Sequence, residues 1–296
     1  MKVALYLVCN NSAVLMANVL IYSFKKHNPW FKGDIVVLHD NDECTLSSHA
    51  KSIMRIYHDS IKFQQIDTKR YITLFKRIRR SCKAAGRFRT LPCLYKWEMF
   101  KSSEYDRIIY LDTDCLSLNS LKGAIDYSDA HNFIAAPDSV DWDMEKFKGH
   151  YPPGHKLLTK NNELNGGFYI AGGDYMSDDF FNELIRHAES TDFKKFYRKL
   201  GKGRIGEQAL LSNFIHDKDY YVLSSEYNRI RRVIPDDLLE KKPDLLNKIK
   251  TVHYTSGKPT TSQYDKIRLK GKWRSYKKIN DIWRDYHEEA TALYPF

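Results

Sequence analysis

The chain alternates short apolar runs with longer amphipathic ones. Val3–Val8 is continuously apolar, as a strand buried on both faces must be. Ala13–Lys26 follows with apolar residues at helical spacing, and Asp34–Leu38 reads as a second apolar strand. A strand, a helix and a strand in that order favour a parallel sheet with helices on its faces. The same pattern predicts strands at Ile61–Ile66, Arg107–Leu111, Phe133–Ala136 and Gly167–Ala171, and helices near 44–57, 91–102, 176–188 and 206–215. No internal repeat, low-complexity tract or Gly/Ser linker interrupts it. The expected class is α/β with a mostly parallel central sheet flanked by helices, in 296 residues that suit one large domain or two small ones.

Composition refines this only locally. A hydrophobic fraction of 42% supports an ordinary core. The 20 tyrosines suit sugar and base surfaces but equally suit cores, so they decide nothing alone. The formal net charge of +11 is concentrated: residues 69–90 hold nine Lys/Arg and no acid. Residues 265–284 hold eight Lys/Arg against Asp265 and Asp281. Two basic segments on a mildly acidic body point to local anionic partners: phosphates, acidic lipid headgroups or nucleic acid. The cysteines are Cys9, Cys44, Cys82, Cys93 and Cys115, an odd number with no C-x-x-C, which reads as free thiols in a reducing, cytoplasmic setting. Met-Lys followed by Val3–Cys9 faintly resembles a secretion signal, but no small-residue cleavage site follows and the run makes a good buried strand. There is no run of 18 apolar residues to span a membrane.

The chemistry gathers where strands end. Arg107–Asp114 reads RIIYLDTD: an apolar strand closing on two aspartates at i and i+2. Asp112 falls at the carboxyl edge of the sheet, where open α/β sheets bind ligands, and Asp114 just beyond it. Two hard oxygen ligands there suit Mg²⁺ or Mn²⁺ carrying a diphosphate; the alternative is a pair of solvated acids. His253 can complete a Mn²⁺ ligand set, and nearby Lys258 can neutralise phosphate. The first strand-to-helix turn, Cys9-Asn10-Asn11-Ser12, lacks G-x-G-x-x-G, so a dinucleotide cofactor is not expected. Asn10 and Ser12 are placed to hydrogen-bond a base or ribose, with helix capping as the competing role for Ser12. Asn165-Gly166-Gly167 leads into an apolar strand, where glycines permit close backbone approach to a ligand or simply form a turn. Glu207-Gln208 opens a helix, facing a sugar or merely offsetting the helix dipole.

Together these segments resemble the retaining glycosyltransferases of family 8, which include glycogenin and bacterial lipooligosaccharide galactosyltransferases. The markers stand here in the family's order. They are the strand–turn–helix at 3–27, Lys96 sixteen residues before Asp112, Asp112-Thr-Asp114, Ala135-Ala-Pro-Asp138, Asn165-Gly-Gly167, Glu207-Gln208, and His253 with Lys258. The resemblance implies a single GT-A-type domain over 1–260, followed by a C-terminal basic and aromatic tail over 261–296. It implies a UDP-sugar donor, Mn²⁺ (or Mg²⁺ in its place), and a glycan, glycolipid or protein acceptor. By position Asp112, Asp114 and His253 would hold the metal. Val8, Cys9, Asn10, Ser12, Lys96, Thr113, Asn165, Gly166, Gly257 and Lys258 would contact the donor. Asp138, Glu207 and Gln208 would act at the sugar.

The chain departs from the family where Gly257 and Lys258 stand four and five residues after His253, where Thr260 replaces a Trp, and where Glu207 replaces an Asp. Competing classes are a nucleotidyltransferase acting on sugar phosphates, which would show a glycine-rich phosphate loop near residue 9, and a nucleic-acid-binding protein, which would leave Asp112 and Asp114 unexplained. In the tail, Trp273, Tyr276, Lys277, Asn280, Trp283 and Arg284 recur at helical spacing. That face either meets an anionic membrane peripherally or packs on the catalytic domain.

Overall fold

A computed structural model of the chain describes residues 1–81, 91–138, 148–154, 164–200, 206–255 and 276–293. Strand β1 (Val3–Val8) leads through a 3₁₀ turn into helix α1 (Val14–His27), then β2 (Ile35–His39), α2 (Ser48–Tyr57), β3 (Ile61–Gln65) and α3 (Lys69–Ser81). Next come β4 (Arg107–Leu111), β5 (Cys115–Ser117), α4 (Lys122–Ser128), β6 (Phe133–Pro137), β7 (Gly149–Tyr151) and β8 (Leu164–Gly172). Helices α5 (Asp178–Ser190), α6 (Phe193–Leu200) and α7 (Glu207–Ile215) precede β9 (Tyr220–Val222), β10 (Arg229–Ile230), α8 (Asp236–Lys241), α9 (Leu245–Lys248) and β11 (Thr251–His253). A C-terminal helix runs from Lys277 to Leu293.

The main sheet has eight strands in the order β3-β2-β1-β4-β8-β6-β9-β7. Four of its pairings are parallel (β1–β2, β1–β4, β2–β3, β6–β9) and three antiparallel (β4–β8, β6–β8, β7–β9). The sheet is therefore mixed, since β8 runs against both of its neighbours. Apolar periodicity reports which faces are buried and carries no strand direction.

Continuous apolar runs are explained by burial on both faces. In β1, Ala4 and Tyr6 join one core cluster while Val3, Leu5 and Leu7 join the other. In β4, Ile108 and Tyr110 divide from Ile109 and Leu111 in the same way. Residues of α3, α5, α6 and α7 cover the first face; residues of α1, α2 and α4 cover the second. The segment expected as a helix near 91–102 is a 3₁₀ run, Leu91–Lys101, buried from Leu94 through Phe100. It packs against β1, α3 and α5 and carries Lys96 inward.

A small second sheet, β10-β11-β5, does one job for the site. Strand β5 follows the aspartate pair directly, and β11 lies antiparallel to it with His253 opposite Cys115. Distant sequence is thereby brought beside Asp114.

The C-terminal helix turns its apolar side inward. Ile279, Asn280, Trp283 and Ala290 are buried, Ile279 and Trp283 against Met16 and Val19 of α1. Tyr276 donates to the carbonyl of Arg232 at 2.9 Å, and the Tyr286 ring packs on Tyr22 and His27. Lys278 pairs with Glu240 and Lys277 with Asp281. Trp283, Tyr276 and Tyr286 thus pack on the body of the fold. Trp273 and the expected boundary at 260/261 lie outside the described residues. No helix of the described residues is long and apolar enough to cross a membrane.

Candidate active site

Strand β4 delivers the aspartates. Its last ladder bond runs on as Asp112 N–H to Gly167 carbonyl at 3.1 Å, and Cys115 N–H closes a turn onto the Asp112 carbonyl at 2.9 Å. This turn gathers both carboxylates toward one point. Tyr254 N–H donates to the Asp114 carbonyl at 2.9 Å, locking β11 to the turn. His253 Nε2 then lies 3.2 Å from Asp114 Oδ1 and 3.6 Å from Asp112 Oδ2. Burial alone would lower the His253 pKa, but Asp114 and then Asp112 reverse this, and it ends above the ordinary value.

The other oxygen of Asp112 faces a lysine. Lys96 Nζ, almost fully buried, donates to Asp112 Oδ1 at 3.1 Å, Glu207 Oε1 at 3.0 Å and the Gly166 carbonyl at 2.7 Å. Burial penalises the ammonium, yet Asp112 and Glu207 outweigh it and hold the pKa well above that of a free lysine. Tyr110 Oη adds a bond to Asp112 Oδ1 at 2.7 Å. Burial first, then Asp112, pushes that phenol's pKa well up, so it stays a donor. Asp112 therefore spends one oxygen on Lys96 and Tyr110 and turns the other toward His253.

Asn165 and Gln208 connect this cluster to Asp138. Asn165 Oδ1 accepts from Gly167 N–H at 2.8 Å and from Asn228 Nδ2 at 2.6 Å, and lies 3.2 Å from His253 Nδ1. Its Nδ2 donates to Asp138 Oδ1 at 3.0 Å. Gln208 Nε2 donates to Asp138 Oδ2 at 3.0 Å, and its Oε1 accepts from Gly166 N–H at 2.8 Å.

The glycine pair does not form a turn. It lies within β8, and side chains occupy the space a Cβ would need. A Cβ on Gly166 would sit 2.7 Å from Glu207 Oε1, and one on Gly167 would sit 2.3 Å from His253 Cε1. The two glycines let Glu207 and His253 reach the sheet surface from opposite sides.

Part of this network opens onto a cleft of about 760 Å³ at the carboxyl ends of β1 and β4, while Asp138, Asn165, Gly166 and Gln208 stand behind its lining. Val8, Asn10, Ser12, Lys96, Thr113 and Glu207 line it, as do Asp112, Asp114 and His253. Cys9 does not; it is buried in the core. Capping falls to Asn10 rather than Ser12: Asn10 Oδ1 accepts from Ala13 N–H at 3.1 Å and from Ser12 Oγ at 2.8 Å. Asn10 remains part of the wall, but its carbonyl oxygen is engaged. Gly257 and Lys258 lie outside the described residues.

Sequence reasoning missed three contributors. Tyr110 shares the strand face of Asp112 at i and i+2, a signal that was available. Asp40 holds the loop carrying Glu43 and Cys44 into the cleft wall, accepting from Asp42 N–H and Cys44 N–H, each at 2.7 Å, and from Tyr95 Oη. An aspartate at a strand end before Asn-Asp-Glu is an Asx-turn signal. Asn228 has no local signal; only the tertiary fold brings it to Asn165.

The donor set fits a divalent ion. His253 Nε2 stands beside both Asp114 Oδ1 and Asp112 Oδ2, two oxygens and one nitrogen whose chemistry Mn²⁺ favours and Mg²⁺ partly shares, with Asp112 outside the tighter group that Asp114 and His253 form with Cys115. Cys115 also comes within chelating range of Asp114 and His253. Its thiol is fully buried and held protonated, by burial first and then by Asp114 and Asp112, and it points toward the Gly167 carbonyl at 3.7 Å. It belongs to the core rather than to a hard-ion ligand set.

The family model described as "Glycosyl transferase family 8" matches residues 4–259, and the chain belongs to that family. The chain is thus a glycosyltransferase, which removes the nucleotidyltransferase and nucleic-acid-binding alternatives. Among solved structures it is similar in fold to the galactosyltransferase LgtC in complex with donor and acceptor sugar analogues. The TM-score is 0.62 at 14% identity, over 97% of this chain and 95% of that one. It is also similar to the glycosyltransferase GlyE of Streptococcus pneumoniae TIGR4, with a TM-score of 0.60 at 14% identity over 97% of this chain and 61% of that one. Mouse xyloside xylosyltransferase 1 shares the fold at a TM-score of 0.51 and 13% identity, over 88% of this chain and 100% of that one. No curated protein matches the sequence.

Proposed function

We propose that the chain is a metal-assisted, retaining glycosyltransferase that moves a hexose or pentose from a UDP-sugar to a glycan, glycolipid or protein acceptor. The observation that carries this reading is that His253 meets both Asp114 and Asp112, and Asp112 the buried cation Lys96, in a cleft large enough for a nucleotide. Asp112, Asp114 and His253 would hold Mn²⁺, or Mg²⁺ in its place. The ion would neutralise the donor diphosphate and act as a Lewis acid toward departing UDP.

The chain's own residues divide the remaining work. Val8, Asn10, Ser12 and Thr113 form the end of the cleft suited to uridine and ribose, with Cys9 supporting from behind. Lys96 pairs with both Asp112 and Glu207 and fixes their positions. Glu207 lines the cleft and pairs with Lys96, so its carboxyl group suits an oxocarbenium-like sugar. Asp138 has an amide donor on each oxygen, from Asn165 and Gln208, and serves as a fixed acceptor for sugar hydroxyls. Gly166 supplies the close approach that Glu207 and Lys96 need. Gly257 and Lys258 follow β11 in sequence and are assigned to the diphosphate on family order alone.

The catalytic unit is taken as residues 1–260, in line with a family match ending at 259. The inward packing of Trp283 and Tyr286 supports an acceptor reached without membrane contact through the C-terminal helix. Cys9, Cys44 and Cys115 are free thiols, which suits a reducing, cytoplasmic setting.

Calorimetric titration with UDP, with and without Mn²⁺, tests the metal assignment. Tight binding should require Mn²⁺ in the wild type and be lost in Asp112→Asn and Asp114→Asn, with melting behaviour kept. Equal UDP affinity with and without Mn²⁺ would refute it.

A further inference from the structure

Far from the cleft, three side chains from three elements meet at the other end of the sheet. His131 precedes β6, His150 is the central residue of the edge strand β7, and Asp219 immediately precedes β9. One ligand atom from each lies within 4.8 Å of the other two. His150 Nε2 already pairs with Asp219 Oδ1, both side chains about half exposed. The His131 ring stacks on His150 at 5.1 Å and on Tyr221 at 4.8 Å, and Tyr221 stacks in turn on Tyr127 at 5.0 Å. Among the described residues, His131 Nδ1 is buried with no hydrogen-bond partner.

We propose that His131, His150 and Asp219 form a second metal site, one that takes a zinc-class divalent ion. Two imidazoles and one carboxylate are a borderline-soft donor set, unlike the oxygen-rich pair Asp112 and Asp114. The two donor sets would then differ in character, oxygen-rich at the cleft and imidazole-rich at the sheet edge, though zinc offered alone can fill both. The sites stand at opposite ends of β6, which separates His131 from Asp138 by on the order of 20 Å at about 3.3 Å per residue. Neutral imidazole is the metal-binding form, and burial followed by the charge on His150 lowers the His131 pKa, with Asp219 opposing.

The site has a structural role. Strand β7 is three residues long, lies at the sheet edge and pairs only with β9, His150 standing opposite Tyr221. So short an edge strand has few ladder bonds to hold its register. A metal bridging His150 to Asp219 and His131 ties it to the starts of β9 and β6. In sequence β7 lies between Asp138 and Asn165, so the tie anchors the chain that connects two sugar-side residues.

The test is titration of zinc chloride into the full chain, in chelator-free buffer, with stoichiometry read by calorimetry and melting temperature read in parallel. Wild type should take up two equivalents, one at each site. His150→Ala and Asp219→Asn should each take up one, and their melting temperatures should lose the part of the zinc-induced rise that the second equivalent contributes. In an Asp112→Asn/Asp114→Asn background the single remaining equivalent should vanish on adding His150→Ala. His131→Gln should weaken that binding at least as much as the roughly 10–100-fold typical of losing an outer-shell partner. Both His150 and Asp219 are exposed enough for their variants to fold. Undiminished stoichiometry and affinity in His150→Ala and Asp219→Asn would overturn the proposal. A null result on UDP binding would leave it standing, because the two sites share no residue.

Discussion

Gly167 shows how a residue that binds nothing can set the chemistry. A methyl group there would lie 2.3 Å and 2.5 Å from two atoms of the His253 ring. That ring is enclosed by Asn165 and Asp114 and cannot swing aside without breaking their bonds. Gly167→Ala should therefore weaken Mn²⁺ binding roughly 10–100-fold, as loss of an orienting partner does, and should also lower the melting temperature, since overpacking a buried strand costs about 1–3 kcal/mol. Unchanged Mn²⁺ affinity by calorimetry would remove His253 from the ligand set. Gln208 makes the complementary case on the sugar side. Its amide fastens Asp138 to Gly166. Gln208→Ala should lower kcat strongly while UDP affinity holds; a parallel fall in both would place it on the nucleotide instead. The aspartate pair was legible because strand end and carboxylates coincide within one octapeptide. The part played by Asn165 was not, because its four partners come from 138, 167, 228 and 253.

Among the elements, the two small strands β5 and β11 carry the most functional weight for their size. Their antiparallel register sets His253 opposite Cys115 and so beside Asp114. Three-residue strands give no readable alternation, which is why they were absent from the sequence-based assignment while β4, five residues and fully apolar at its end, was placed residue for residue. Strand direction was equally hidden: β8 is apolar whether it runs up or down. The C-terminal helix was anticipated from its spacing, and packing decides its role. Trp283 is 3% exposed, set among Met16, Val19 and Ile279. Trp283→Ala should cost about 3–5 kcal/mol, the usual range for a buried tryptophan, measured by denaturant unfolding. Co-sedimentation with anionic vesicles should be unaffected. A fully stable variant that lost vesicle binding would return this helix to the membrane.

As a whole, the molecule concentrates its ligand chemistry at one sheet edge, where β1 and β4 end and where β8 and β11 bring partners from the second half of the chain. Lys96 is the centre of that arrangement, one buried cation shared by Asp112 and Glu207. On the Asp114 side the carboxylate faces an imidazole rather than a lysine, and that is where the proposed cation would act. The most direct measurement is UDP release from a panel of UDP-sugars, with acceptor mixtures, in Mn²⁺, Mg²⁺ and chelator, for the wild type and Asp114→Asn. The account predicts release from at least one UDP-sugar in Mn²⁺, a weaker or equal rate in Mg²⁺, none in chelator, and none from Asp114→Asn. Undiminished release in chelator, or from Asp114→Asn, would contradict it.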